Sequence, residues 1–144
     1  MEDILVEILN VGFYSILGII LMIFGTFLVD LVIPCNFPEE IKKRNVAVGY
    51  IMAGASIAIG VILKSAIISP STEVIENGLL EGAFSSVLYF ALGMLFCVLG
   101  YVIINLFHRR YDLNKEIGDG NPAAGIMVCG LFIGLGILIS GVIY

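Results

Sequence analysis

Residues 45–60 read NVAVGYIMAGASIAIG, and residues 121–136 read NPAAGIMVCGLFIGLG. At an offset of 76, Asn45 pairs with Asn121, Ala47 with Ala123, Gly49 with Gly125, Gly54 with Gly130, Ile57 with Ile133 and Gly60 with Gly136. Just upstream, Glu40-Ile41 pairs with Glu116-Ile117. Both stretches are continuously apolar, without the alternation of a half-buried strand. Both open on Asn, whose side-chain oxygen caps the free backbone N–H groups at a helix start. Pro122 fits the position after its cap, where no N–H is needed. Each stretch is therefore the start of an apolar helix.

The likeness continues outward. At an offset of 75, Tyr14 pairs with Tyr89, Leu17 with Leu92, Gly18 with Gly93, Gly25 with Gly100 and Asp30 with Asn105. The chain thus reads as one hairpin written twice, repeat one at about 8–69 and repeat two at about 83–144, within a single membrane domain covering 1–144. Each copy has two crossings, so both enter a membrane in the same sense. Such repeats are parallel, related by an axis along the membrane normal, unlike the inverted repeats of many transporters.

Composition supports the membrane. Of 144 residues, 60% are hydrophobic and 13% charged, with 17 glycines, no tryptophan and one histidine. A soluble domain of this size cannot hide so much apolar surface. The net charge of −5 argues against nucleic acid as a partner, since nucleic-acid binders carry basic patches. A helix needs about 20 apolar residues to cross a bilayer, and four stretches qualify: 8–33, 46–69, 83–107 and 122–144. The fold class is all-α: a polytopic membrane protein with four transmembrane helices as two parallel tandem two-helix repeats.

Basic residues set the expected direction. Lys42, Lys43, Arg44, Arg109, Arg110 and Lys115 fall in the connections 34–45 and 108–121, and only Lys64 lies elsewhere. The positive-inside rule makes those two connections cytoplasmic and both termini external in a cell (inner) membrane. The outer side then carries Glu2, Asp3, Glu7, Glu73, Glu76 and Glu81 against Lys64, which accounts for the whole net charge. Met1-Glu2-Asp3-Ile4 lacks the basic n-region of a signal peptide, so the first apolar run is expected to persist as a helix. Cys35, Cys97 and Cys129 are odd in number and form no CxxC; Cys35 falls on the reducing side, packing is expected of Cys97 and Cys129, and no disulfide, metal site or other cofactor is expected.

Placed at 100° intervals, the second span shows one smooth stripe of Gly49, Ala53, Ser56 and Gly60 and another of Ala47, Gly54, Ala58 and Ser65. The fourth repeats them as Gly125, Cys129, Gly136 and Ser140, then Ala123, Gly130, Gly134 and Gly141, with Phe132 the one bulky residue on the first stripe. Small residues let helices approach closely in lipid, where burial alone gives little drive. Two stripes on one helix imply two neighbours. The second and fourth helices are expected at the centre, with one stripe used inside the chain and the other against a second copy in a homo-oligomer; the alternative is that the four helices of one chain fill both grooves. The helix-packing residues are Gly49, Ala53, Gly54, Gly60, Gly125, Gly130, Gly134 and Gly136. The first and third spans carry a single sparser seam, Gly18 with Gly25 and Gly93 with Gly100.

Few residues suggest chemistry. Asn45 and Asn121 read as helix caps, with a small anion site at two adjoining helix starts as the bolder alternative. Asp30, matched by Asn105, is the candidate ion or proton site, because an ionisable group in a span is functional by default; the approach of Pro34 favours an interfacial or salt-bridged carboxylate instead. Tyr14 and Tyr89 suit interfacial anchoring. His108, Arg109 and Arg110 suit contact with anionic lipid. The sequence holds no Walker loop, nucleophile elbow or HExxH, so no catalytic residue is assigned and no enzyme is expected.

The segments Glu40-Ile41-x3-Asn45-x-Ala47-x-Gly49 and Glu116-Ile117-x3-Asn121-x-Ala123-x-Gly125 resemble the YjfL-like small bacterial and archaeal inner-membrane proteins, the family of domain of unknown function 350. The resemblance covers essentially the whole chain. It implies no activity and no site residues, but does imply envelope-stress partners of the phage-shock type, such as a cytosolic PspA-like coat protein. Two functional readings follow. One is a non-enzymatic oligomeric scaffold or assembly partner in the lipid bilayer. The other is a small cation channel, suggested by the acidic outer face and Asp30.

Overall fold

The computed structural model describes residues 2–33, 35–71, 78–107 and 112–143. Six helices follow in order: α1 (Glu2–Val32), α2 (Phe37–Lys42), α3 (Val46–Ser71), α4 (Gly78–Phe107), α5 (Leu113–Gly118) and α6 (Pro122–Ile143). Four are long and apolar enough to cross a membrane, over Ile4–Val32, Val46–Ser69, Leu79–Phe107 and Pro122–Ile143. The described chain is all-helical, and it is a membrane protein.

Two helices start earlier than the apolar runs predict. α1 begins at Glu2 rather than near residue 8, and α4 at Gly78 rather than near 83. Both early turns mix acids with Leu, Ile or Val. Acids there interrupt a hydropathy run but suit a helix N-terminus, where the backbone dipole is positive. Helix length and membrane thickness are separate quantities, and only the second is written in hydropathy.

The connections after α1 and α4 each fold into a short helix. Asn36 Oδ1 accepts from the Glu39 amide at the start of α2, and Asp112 Oδ1 accepts from the Lys115 amide at the start of α5. Both end on a left-handed residue, Arg44 (φ 63°) and Gly120 (φ 78°). That conformation costs a side-chain-bearing residue roughly 1–2 kcal/mol, so Gly120 adopts it freely and Arg44 does not. The reversal places Asn45 and Asn121 at the heads of α3 and α6.

α3 is the centre of the bundle. α6 packs along it, and α1 and α4 also pack against it. Ile51, Ile59 and Ile62 of α3 are buried with Phe90, Met94 and Tyr101 of α4. Within one chain α6 is less enclosed than α3. α6 is buried on one face, through Gly125, Val128, Phe132, Gly136 and Ile139, and its other face is open.

Candidate functional site

Helices α3 and α6 meet backbone to backbone. A Cβ built on Gly125 would fall 2.5 Å from Ala47 Cα, one on Gly54 would fall 2.6 Å from Cys129 Cα, and one on Gly136 would fall 2.6 Å from Ala58 Cα. At the far end the Ser65 and Ser140 hydroxyls share a hydrogen bond of 2.5 Å. Residue numbers rise together along both helices, so the pair is parallel. The α3 side of this contact is the Ala47, Gly54, Ala58 and Ser65 stripe, and the α6 side is the Gly125, Cys129, Gly136 and Ser140 stripe. The two helices therefore use different stripes. Phe132 does not obstruct the contact: it is buried, with its ring stacked on Tyr101 at 5.2 Å and 11°.

The remaining stripes are open. Among the described residues, nothing lies within 4 Å of a Cβ built on Gly49, Gly60, Gly130, Gly134 or Gly141. Ala53 of α3 and Ala123 of α6 are exposed. So the eight expected packing residues divide three to five. Gly54, Gly125 and Gly136 pack against the other helix, with Gly49, Gly60, Gly130 and Gly134 free of contact and Ala53 on the open α3 face.

A polar network sits at the end that carries α2 and α5. Asn45 Oδ1 accepts from the Val48 amide at 3.2 Å, and its Nδ2 donates to Glu40 Oε2 and to the Ile117 carbonyl, both at 2.9 Å. Asn121 Oδ1 accepts from the Ala123 amide at 3.0 Å, and its Nδ2 donates to Glu116 Oε2 at 2.7 Å. Backbone bonds recur in step. Asn45 N donates to Glu40 O as Asn121 N does to Glu116 O, and Gly49 N to Asn45 O as Gly125 N to Asn121 O. Lys43 Nζ donates to Glu40 Oε1 at 2.7 Å, and with the Asn45 amide it holds the Glu40 carboxyl below its ordinary range. Both asparagines cap, and each brings a carboxylate to its helix start, which repels a bound anion there.

Loss of these bonds is measurable. In detergent that disperses single chains, Asn121→Ala is expected to cost about 1 kcal/mol, the worth of a cap. Asn45→Ala is expected to cost about 2–3 kcal/mol, because the buried Ile117 carbonyl also loses an acceptor bond. Denaturant unfolding followed by circular dichroism checks the order, and equal losses would remove the cross-link between the two halves.

Asp30 is engaged structurally. Its half-buried Oδ1 accepts from the Phe37 amide at 3.2 Å, which serves an otherwise orphan donor in the first turn of α2. Asn105 is half-buried on α4. Cys35, beside Asp30 and Glu40, has its thiol pushed up to about 11 by burial first and then by those two carboxylates, so it stays a thiol at neutral pH. Cys97 is buried and Cys129 lies on the α3 contact. The Tyr14 hydroxyl sits over Gly82 of α4. Tyr89 borders a groove of about 770 Å³ between α4 and α6, lined also by Gly93, Gly100, Leu135, Leu138 and Ile139. Lys64 is exposed. His108, Arg109, Arg110, Glu73 and Glu76 lie outside the described residues.

A family model described as Domain of Unknown Function (DUF350) matches residues 3–143. The chain belongs to the DUF350 family. This DUF350 chain is also similar to a UPF0719 transmembrane protein of Aquifex aeolicus (strain VF5), with 28% identity over 133 residues, covering 92% of the chain and 48% of that protein. The chain thus spans about half the length of the curated relative it matches. No solved structure matches it.

Proposed function

We propose that this DUF350 chain is a non-enzymatic membrane assembly protein, built as two parallel copies of a helical hairpin and working as a homo-oligomer in a cell membrane. The observation that carries the reading is the pair of smooth faces, on α3 and α6, that remain uncovered beside a tightly packed third and fourth. Small-residue faces that lipid alone would cover give poorer packing than a second helix does. A non-catalytic role is supported by the chief polar cluster among the described residues, where Asn45 bonds Glu40 and Asn121 bonds Glu116 in helix-capping roles. The α2 and α5 end is assigned to the cytoplasm from the distribution of bases. There it would meet a cytosolic partner, and the family resemblance makes a PspA-like envelope-stress protein the first to try.

The competing reading is a small cation channel. Purified chains in liposomes, assayed by potassium or proton flux, separate the two. The assembly reading expects flux at the level of empty vesicles while native mass measurement in lipid nanodiscs finds several copies. Flux above background that Asp30→Asn abolishes would establish the channel. Single chains in the nanodiscs would end the assembly reading.

A further inference from the structure

We propose that identical chains join head to tail, the open face of α6 in one chain seated on the open face of α3 in the next, in the register that already joins α3 to α6 within each chain. This rests on the duplication and homo-oligomer readings above, and it names the surface, the occupant and the geometry.

The open faces are the equivalents of the covered ones, exchanged between helices. Ala123, Gly130, Gly134 and Gly141 on α6 occupy the repeat positions of Ala47, Gly54, Ala58 and Ser65 on α3. Gly49, Ala53, Gly60 and Lys64 on α3 occupy those of Gly125, Cys129, Gly136 and Ser140 on α6. The observed contacts Ala47 to Gly125, Gly54 to Cys129, Ala58 to Gly136 and Ser65 to Ser140 thus have inter-chain counterparts. Ala123 meets Gly49, Gly130 meets Ala53, Gly134 meets Gly60, and Gly141 leaves room for the stem of Lys64.

Two features away from these stripes point to the same occupant. The first is at the loop end. Ile117 is 1% exposed and its carbonyl accepts from both Gly120 N and Asn45 Nδ2, whereas its counterpart Ile41 is 46% exposed and accepts from Arg44 N. Asn121, the counterpart of Asn45, donates to Glu116 alone among the described residues. Head-to-tail docking brings the spare Asn121 hydrogen to the Ile41 carbonyl of the neighbour and covers Ile41. The second is the outer layer. Within the chain α4 fills the groove between α1 and α3, where Phe90 reaches Gly25 and Ile62 reaches Gly93. The equivalent groove between α4 and α6 is open, at about 770 Å³. The surface of α1 that matches the buried Met94 and Cys97 of α4 is also open, at Ile19 and Met22. The same docking operation lays the neighbour's α1 into that groove.

A heterologous contact closes into a ring or runs on as a filament. The bilayer holds every copy in one plane and one sense, so rotation about the membrane normal remains. With the two faces of each helix about 140° apart on a 100° wheel, the inner wall is a polygon of roughly nine helices, hence four or five chains. Ile57, Val61, Ile133 and Ile137 would turn to its inside, which makes it an apolar collar.

Cysteine cross-linking tests the contact. In full-length chains with Cys35, Cys97 and Cys129 replaced by Ala, Lys64→Cys in one tagged copy and Gly141→Cys in a differently tagged copy are co-expressed. Their template, Ser65 with Ser140, places side-chain tips in contact, within disulfide reach. Mild oxidation should give mixed covalent dimers, and a chain with both cysteines should give a ladder ending at four or five copies. Gly130→Leu meets open space within its own chain. It should keep the helical content and unfolding midpoint of the single chain while nanodisc mass falls to one copy. Mixed dimers absent, with same-site dimers or multi-copy masses present, would overturn the head-to-tail contact and leave the homo-oligomer reading standing. Single chains in every preparation would overturn both.

Discussion

Gly125→Ala lowers the stability of the dispersed single chain by about 3 kcal/mol, while Gly134→Ala leaves it unchanged or raises it by up to about 1 kcal/mol. The two residues lie on the same helix and differ in what faces them. A Cβ at 125 would meet Ala47 Cα at 2.5 Å and Ala47 O at 2.6 Å. Both are backbone atoms of a helix and cannot rotate aside. Relief requires α3 and α6 to separate, and separation loosens the Gly54 to Cys129 and Gly136 to Ala58 approaches at once. Dispersion falls steeply with such a gap. At 134 nothing lies within 4 Å, and alanine gains the entropy that glycine loses in a helix. Denaturant titration of both variants in the same detergent, followed by circular dichroism, gives the comparison. Equal destabilisation at the two sites would mean that the parallel α3 and α6 contact is not what holds the chain together.

The number of crossings, the helix caps and the smooth stripes were all legible in the sequence, because lipid makes composition decisive over runs of about 20 residues. The pairing of stripes was not. Both helices offer two sets of small residues of equal quality, and nothing in their identity says which set faces inward. α1 and α4 pack on the Ile59, Ile62 and Leu63 side of α3, away from both stripes, so α6 takes one stripe and the other stays open. The uneven burial of α3 and α6 is hidden for a related reason: both helices offer two small-residue stripes, and their surroundings differ because α3 has helices on more of its sides than α6. Asp30 looked intramembrane by its place in the run. Its bond to the Phe37 amide spans seven residues and a chain reversal, which linear spacing does not reveal. The short helices α2 and α5 had a signal, Asn36 and Asp112 three residues before the amides they cap, weak beside the charges that marked those stretches as connections.

Tyr101→Phe stabilises the chain by about 1 kcal/mol, and Tyr101→Ala destabilises it by about 3–5 kcal/mol. The opposite signs arise because one side chain does two opposed things. Its ring, on a residue 1% exposed, stacks on Phe132 at 5.2 Å and joins α4 to α6. Removing it opens a cavity where two helices meet. Its hydroxyl, in contrast, is buried without a hydrogen-bond partner among the described residues, and an unsatisfied buried hydroxyl costs roughly 1–3 kcal/mol. Thr26 of α1 shows the cost avoided: its Oγ1 donates to the Met22 carbonyl at 2.9 Å, one helical turn back. The tyrosine hydroxyl stands at the end of a rigid ring and cannot turn back to its own helix. Phenylalanine keeps the stack and removes the orphan. Unfolding of the three forms in one detergent measures both effects, and a loss on Tyr101→Phe would show that the hydroxyl has a bonding partner in the folded chain.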